Sequence, residues 1–520
     1  MGKGSAAVEL ADLNGDGKPD VVAADDRGST VSVALNRGNG DFGARAEYRT
    51  APHPQILRTV DLNGDGKPDL LTANRGRSFS VLLNRGNGTF DPRRDYATHD
   101  ALYNMLVHDL NGDGKPDLAS SNYTSNAVST VSVFINGGDG RFQPRSDYEI
   151  GPRSGLASIA DLNGDGYPDM LAATSRNAVS VLLNRGDGSF EGKRDYPTGA
   201  GSSGDIEVAD LNNDHKPDIV DANTGGKSNS LSVLLNRGDG SFETRRDYRL
   251  DETFDTIAIR DLDSDGHSDL LAYMSDAYML VNQTGTDHVS IFLNRGDGSF
   301  AAEPDHTIGF RPSYPLDLVD MNGDNRPDLV SANWIVPTQD PRGVWVSVNR
   351  GDGSFRRGRF FPTGDTQLTI ADLNGDGRPE LVGFNNYGAS SGPQGPVVSI
   401  FVNRGDGRLQ PRLDYPTRGT DAVDVADVNG DGKPDVVTFG SVVVSVLMNR
   451  PGRCNVQYVV RMKLETAKGA LARANCRVGK VGRAYSKIKK DRVISQQPKF
   501  GGARQGGAKV NLLISRGPRR

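Results

Sequence analysis

The chain has 520 residues, 64 of them glycine, and only 36% are hydrophobic. That length allows two to four ordinary domains, or one large repeat domain with a small companion, and the composition favours short strands and many turns over thick helices. No apolar run approaches the ~18 residues of a membrane span, and the opening MGKGSAAVELADL has no signal-peptide hydrophobic region.

Charge divides the chain in two. Residues 1–450 hold 43 Lys and Arg against 64 Asp and Glu, whereas residues 451–520 hold 18 against two, Glu465 and Asp491. Opposite charge predicts two domains with different work, 1–450 and 453–517.

The first domain is a repeat. Nine copies of an acidic stretch, DLNGDGKPD in its commonest form, begin at Asp12, Asp61, Asp109, Asp161, Asp210, Asp261, Asp320, Asp372 and Asp427, between 48 and 59 residues apart. One structural unit recurs. An apolar run such as AAVELAD leads into the stretch, and a second, such as PDVVAAD, leaves it. After a variable link comes an alternating VSVALN, a turn N-x-G-[ND]-G-x-[FL], and a segment such as ARAEYRT. This predicts about four short strands per unit and no long helix. Five of the turns spell Asn-Arg-Gly-Asp, as at Asn184–Asp187. The third unit has Gly137 in place of the arginine, and the second has Asn87 in place of the aspartate. What recurs is glycine and Asn or Asp, the residues that take positive φ in a hairpin turn. Arg-Gly-Asp is therefore a by-product of turn chemistry and not an adhesion signal.

Each acidic stretch sets oxygen-bearing side chains at positions 1, 3, 5 and 9, with position 7 offering its backbone carbonyl. Hard cations such as Ca²⁺ take six to eight oxygens, and glycines at positions 4 and 6 let the backbone curl round the ion. Oxygen-only ligands argue against zinc and copper. The candidate ligands are Asp12, Asn14, Asp16 and Asp20; Asp61, Asn63, Asp65 and Asp69; Asp109, Asn111, Asp113 and Asp117; Asp161, Asn163, Asp165 and Asp169; Asp210, Asn212, Asp214 and Asp218; Asp261, Asp263, Asp265 and Asp269; Asp320, Asn322, Asp324 and Asp328; Asp372, Asn374, Asp376 and Glu380; and Asp427, Asn429, Asp431 and Asp435. Packed carboxylates repel by roughly a few kcal/mol per pair, and a divalent ion removes that penalty. An EF-hand is excluded, since position 12 of the first stretch is Ala23 and the flanks read as strands. The Asp210 stretch has Asn213 and His215 in place of glycine, which predicts the weakest site.

These motifs resemble the FG-GAP/VCBS repeat family over about residues 6–450. The resemblance implies an all-β propeller of four-stranded blades, as in integrin α-subunit heads, with calcium held by the acidic loop between the first two strands of a blade. Nine sequence units imply seven to nine blades. The ninth unit lacks a fourth strand, because SVLMNRPG runs straight into the basic tail. Propellers often close by sharing a strand, so the expectation is that upstream sequence supplies both an export signal and a closing strand.

In the basic tail a helix fits Leu464 to Ala474, and strands fit Cys476–Val481, Arg492–Gln497 and Val510–Ser515. The segment 453–517 resembles a PASTA domain, a small α+β module, in its A-x-x-x-L-x-x-A helix, its S-Q-x-P turn and its G-x-x-V-x-L-x-x-S-x-G ending. It departs at Gln457, where proline is common, and at Arg461, where glycine is common. The resemblance implies a module of cell-wall proteins. Cys454 and Cys476 would close a loop of about 22 residues if bonded, worth about 3 kcal/mol in the chain-entropy model.

No G-x-S-x-G, phosphate-binding loop or H-E-x-x-H occurs, and the seven histidines fall at different places in different units. The expectation is a non-enzymatic, monomeric, extracellular or cell-wall-associated protein that binds calcium. Its partner would be peptidoglycan, an anionic glycan or a protein ligand, with no specific nucleic acid and no membrane span. The alternatives are a calcium-dependent lectin with sites between blades, for which the repeated Asp-Tyr is the candidate feature, and a glycan-degrading enzyme.

Overall fold

The computed structural model describes residues 5–518 apart from 101, 123–127, 153–154, 175–176, 200, 226–228, 251–253, 255, 274–287, 303–305, 309–315, 334–342, 363–366, 386–396, 419–421, 441–442, 450–453, 475, 500–502 and 505–506. Each of the nine sequence units forms its own antiparallel sheet, with strands in chain order. In the first unit the strands are Ser5–Ala11, Asp20–Asp25, Thr30–Ala34 and Ala46–Arg49. Seven sheets have four strands, the sixth has a further short strand, His306–Thr307, and the ninth has three. The acidic stretch joins the first strand to the second, and the Asn-x-Gly turn joins the third to the fourth.

Both faces of the middle strands are covered. Asp20–Asp25, Asp69–Asn74 and Ala178–Leu182 are buried at every residue, because each sheet is sandwiched between two others. The alternation of VSVALN therefore does not separate core from solvent. It separates an apolar face from a polar one that is also buried. On the polar face, the Ser80 hydroxyl donates to Asp95 Oδ1 at 2.7 Å and accepts from the Ala51 N–H at 3.0 Å. The same serine-to-aspartate bond recurs at Ser132–Asp147, Ser232–Asp247 and Ser399–Asp414.

Apolar packing runs from sheet to sheet through the whole repeat. Leu13 and Val22 of the first sheet pack with Leu70 and Phe90 of the second, and the series continues to Val382 of the eighth with Val436 of the ninth. It then returns to the start, since Val21, Leu10 and Phe42 of the first sheet pack with Val437, Phe439 and Val446 of the ninth. The nine sheets thus form a closed circuit of contacts, joined at the seam by side chains. This narrows the expected seven to nine blades to nine sheets.

The basic tail folds around its own core of Val459, Leu471, Val493, Val510 and Ile514. Its helix, Leu464–Arg473, buries Ala467 and Leu471 as expected. Its three-stranded sheet is Arg477–Ala484, Lys509–Ser515 and Val493–Gln497, with the first pair parallel. The first of these strands runs three residues beyond the sequence expectation. A two-residue pairing of Cys454–Asn455 with Ala503–Arg504 was not anticipated. Cys476 is buried, whereas the Cys454 side chain, and with it the expected bridge, lies outside the described residues. Among the described residues no helix is long and apolar enough to cross a membrane.

Candidate metal centres

Every acidic stretch adopts the same curled loop. Gly15 and Gly17 sit at φ +74° and +78°, a region closed to most side chains. The substituted loops keep the shape with the wrong residues: Asn213 and His215 are held at φ 60° and 64°, Ser264 at 68° and Asn325 at 63°. Left-handed φ is more tolerable for asparagine and histidine than for serine.

The four oxygen positions do different work. At position 1, the Asp12 carboxylate accepts from the Gly15 and Gly17 N–H groups at 2.8 and 2.7 Å. Asp61, Asp109, Asp161, Asp372 and Asp427 repeat this pattern. Asp261 and Asp320 make the same bonds to their substituted loops, whereas Asp210 accepts from the Asp214 and His215 N–H groups. At position 3, Asn14, Asn63, Asn111, Asn163, Asn212 and Asp263 accept from the N–H of position 5. Asn374 and Asn429 instead donate to Glu380 and Asp435, and Asn322 to Asp328. At position 5, Asp16, Asp65, Asp113, Asp165, Asp214, Asp265, Asp324, Asp376 and Asp431 accept from the N–H two residues on. These carboxylates are the exposed edge of the loop, and Lys18, Lys67 and Lys216 lie within about 3 Å of Asp16, Asp65 and Asp214.

Position 9 is a buried clamp. Asp69 is 0% exposed; its Oδ2 accepts from the Leu62 N–H at 3.0 Å and its Oδ1 from the Asn84 N–H at 2.7 Å. Asp20, Asp117, Asp169, Asp218, Asp269, Asp328 and Glu380 hold the equivalent pair of donors, and Asp435 accepts from Asn449. Burial pushes the Asp69, Asp169, Asp218, Asp269 and Asp328 carboxyls up to about 6. The two N–H bonds pull the other way, and the carboxylates at loop positions 1 and 5 add to the rise. Asp20, Asp117, Glu380 and Asp435 are raised for the same first reason.

The chemistry fits a hard cation. Three anions press on one another, a carboxylate oxygen accepts in two directions, and positive charge within the loop would relieve both desolvation and repulsion. In the Asp261 loop, oxygens of Asp261, Asp263 and Asp265 all lie within 4.8 Å of one another.

Sequence reasoning missed the asparagine that opens the hairpin turn. The Asn84 Nδ2 donates to Pro68 O within its own unit, and to Leu13 O in the preceding unit at 2.9 Å. Asn136, Asn184, Asn236, Asn294 and Asn349 reach back in the same way. Asn449 bonds to Leu373 O, and Asn36 bonds across the seam to Val428 O at 2.6 Å. The loops and turns are therefore one belt. The signal was present in the strict phase between the NRGD asparagine and the acidic stretch. The tyrosines of the Asp-Tyr pairs are packing residues. Tyr96, Tyr148, Tyr196 and Tyr248, and Tyr48 of the corresponding Glu-Tyr pair, lie against the turn phenylalanine of the next unit, with ring centroids 4.8–5.5 Å apart. Their hydroxyls bond to the same turn, as Tyr196 does to Gly240 O at 2.7 Å.

A ring of nine antiparallel sheets, seven of them four-stranded, each with an acidic loop locked to the turn asparagine, defines a class of repeat proteins. FG-GAP-like repeats match residues 12–60, 61–120, 109–160, 161–220, 320–383 and 372–438, more than half of the chain, which therefore belongs to the FG-GAP-like repeat family. Comparison with curated proteins returns no match. Among solved structures, the chain is similar to an Agrocybe aegerita lectin that recognises non-reducing terminal N-acetylglucosamine, at 20% identity and a TM-score of 0.39, over 68% of this chain and 93% of that one. It is also similar to the V. cholerae biofilm matrix protein Bap1, at 13% identity and a TM-score of 0.37, over 86% and 88%. BBS1N in complex with ARL6DN gives 12% identity and 0.36, over 63% and 88%.

Proposed function

We propose that this protein is an extracellular, calcium-stabilised binding or scaffold protein, directed to a cell-wall polymer by its basic C-terminal unit. One observation carries the calcium reading. The same four oxygen positions recur in nine loops, and the ninth residue is a buried carboxylate pushed up by burial in each. Calcium at each loop would cancel that charge and tie two strands and a turn together. At ten times its Kd, each filled loop adds about 1.4 kcal/mol.

The cell-wall reading rests on the tail. It resembles a PASTA module, and Arg461 takes φ 69° at the point where that family commonly has glycine. Lys487, Lys489 and Lys490 are exposed, and Arg516 lies over the exposed Tyr485 ring at 5.8 Å. A cationic face with an accessible aromatic suits an anionic glycan. The test is sedimentation with peptidoglycan, in calcium, of the full chain and of the full chain with Lys487, Lys489 and Lys490 changed to glutamate. Pelleting that survives high salt in the first and is lost in the second supports the reading. Equal pelleting of both, or none at high salt, removes it.

A further inference from the structure

Neighbouring units are tied together at the fourth strand by a recurring arginine, and between the first two units that tie is absent. Arg145 donates to Ala97 O at 3.2 Å, Arg245 to Thr198 O at 2.6 Å and Arg412 to Pro362 O at 3.1 Å, each reaching back into the preceding unit. Each also pairs with the aspartate two residues on, Asp147, Asp247 and Asp414. Arg93 keeps the aspartate half of this arrangement, with its Nε donating to Asp95 Oδ2 at 2.9 Å and Oδ1 at 3.1 Å. Among the described residues it makes no bond back to the first unit. The sequence differs at the same place. Ala97, Pro197 and Pro362 follow the fourth-strand aromatic in the units that are reached, whereas Arg49 follows Tyr48. A second guanidinium there repels the first.

What the missing tie leaves is a groove of about 600 Å³ between the first and second sheets, lined by Tyr48, Arg49, Arg85, Asp91, Arg93 and Asp95. That volume lies within the roughly 300–1,000 Å³ of small-ligand sites. Arg49 is exposed and has no ion pair among the described residues. Arg85 bonds Asp91 through Nε at 2.8 Å. Arg85 and Arg93 are therefore oriented by carboxylates at one edge, and among the described residues their Nη donors have no protein acceptor. The groove thus offers planar donor forks, which match a carboxylate in geometry and charge. It also offers Asp91 and Asp95, whose remaining lone pairs accept from hydroxyl groups. Three guanidinium groups against two carboxylates suit a ligand with many hydroxyls and a single negative charge. A densely charged polyanion would meet the two aspartates.

We infer that this groove is a binding site for an acidic saccharide, a sugar ring bearing one carboxylate. The carboxylate is taken by Arg49 and the Nη atoms of Arg85 and Arg93, and ring hydroxyls donate to Asp91 and Asp95. The site is separate from the basic C-terminal unit and does not depend on the cell-wall reading of that unit.

The probes are a tetrasaccharide of alternating glucuronate and N-acetylglucosamine, and digalacturonate, each titrated by calorimetry into the full chain in calcium. One-to-one saturable binding of at least one is expected. Arg49→Ala should weaken it about tenfold and leave the Tm unchanged, because Arg49 holds no protein partner. The full chain with Lys487, Lys489 and Lys490 changed to glutamate should bind as the wild type does. Absence of saturable binding of both probes overturns the inference, as does equal binding by the Arg49→Ala variant. So does equal affinity for neutral N-acetylchitotetraose or for tetraglutamate, the first showing that the carboxylate is not read and the second that the sugar is not. Binding lost in the lysine variant and kept in Arg49→Ala places the site in the tail and overturns it too.

Discussion

Asp65 and Asp69 sit four residues apart in one loop and predict opposite behaviour. Asp65 is at the exposed edge beside Lys67, a pairing worth little in water. Asp69 holds two backbone N–H groups in a buried setting. Asp65→Asn should leave the metal-free protein within about 0.5 kcal/mol of wild type and weaken calcium binding at that loop. Asp69→Asn turns one acceptor toward a backbone N–H, and should cost about 1–3 kcal/mol even without calcium. Chemical denaturation in EGTA, with and without added calcium, separates the two. The buried carboxyls also set a pH dependence. Their folded pKa of about 6 lies above the ordinary aspartate value of 3.8, so the folded state binds more protons than the unfolded state in that window. Metal-free stability contributed by these groups must therefore fall as pH rises from 4 to 6. Calorimetry should show the calcium-induced rise in Tm to be larger at pH 7 than at pH 5. An equal or smaller rise at pH 7 would contradict the assignment.

At the scale of the element, each unit is finished by contacts it makes with the next. Phe142 illustrates this, with its N–H donating to the Tyr96 hydroxyl at 3.2 Å and its ring against Tyr96 and Phe79. Phe142→Ala should cost about 3–5 kcal/mol, and Tyr96→Phe about 1 kcal/mol, measured by guanidinium denaturation. The unit itself was readable from strand periodicity and from glycines in phase, because those reflect local backbone demands. The inter-unit bonds were not readable. Asn84 and Ser80 look like ordinary turn and strand residues, and their partners, Leu13 O and the Ala51 N–H, are fixed only once units stack. For the same reason the buried role of Asp69 was hidden behind its place in a ligand-like spacing. The short pairing at Cys454–Asn455 has no periodicity to betray it.

For the molecule as a whole, closure depends on a weak ninth sheet. Asn36 to Val428 and the Val21, Val437 and Phe439 cluster hold the seam, with no shared strand among the described residues. Nine units were countable from the acidic loops, whereas the seam was not, since it joins residues some 400 positions apart. Asn36→Ala removes a seam bond that has counterparts elsewhere in the belt. It should lower the Tm more than the equivalent change at Asn184, because the neighbouring seam strand is already exposed. Differential scanning calorimetry of the two variants decides this. The central claim is that the acidic loops hold calcium and that calcium stabilises the ring. The most direct test is calorimetric titration of calcium into chelator-treated protein, paired with melting curves. The account predicts stoichiometry approaching nine per chain, the Asp210 loop filling last, and a Tm that climbs with calcium and not with the same concentration of sodium. No bound calcium at millimolar concentration, with an unchanged Tm, would contradict it.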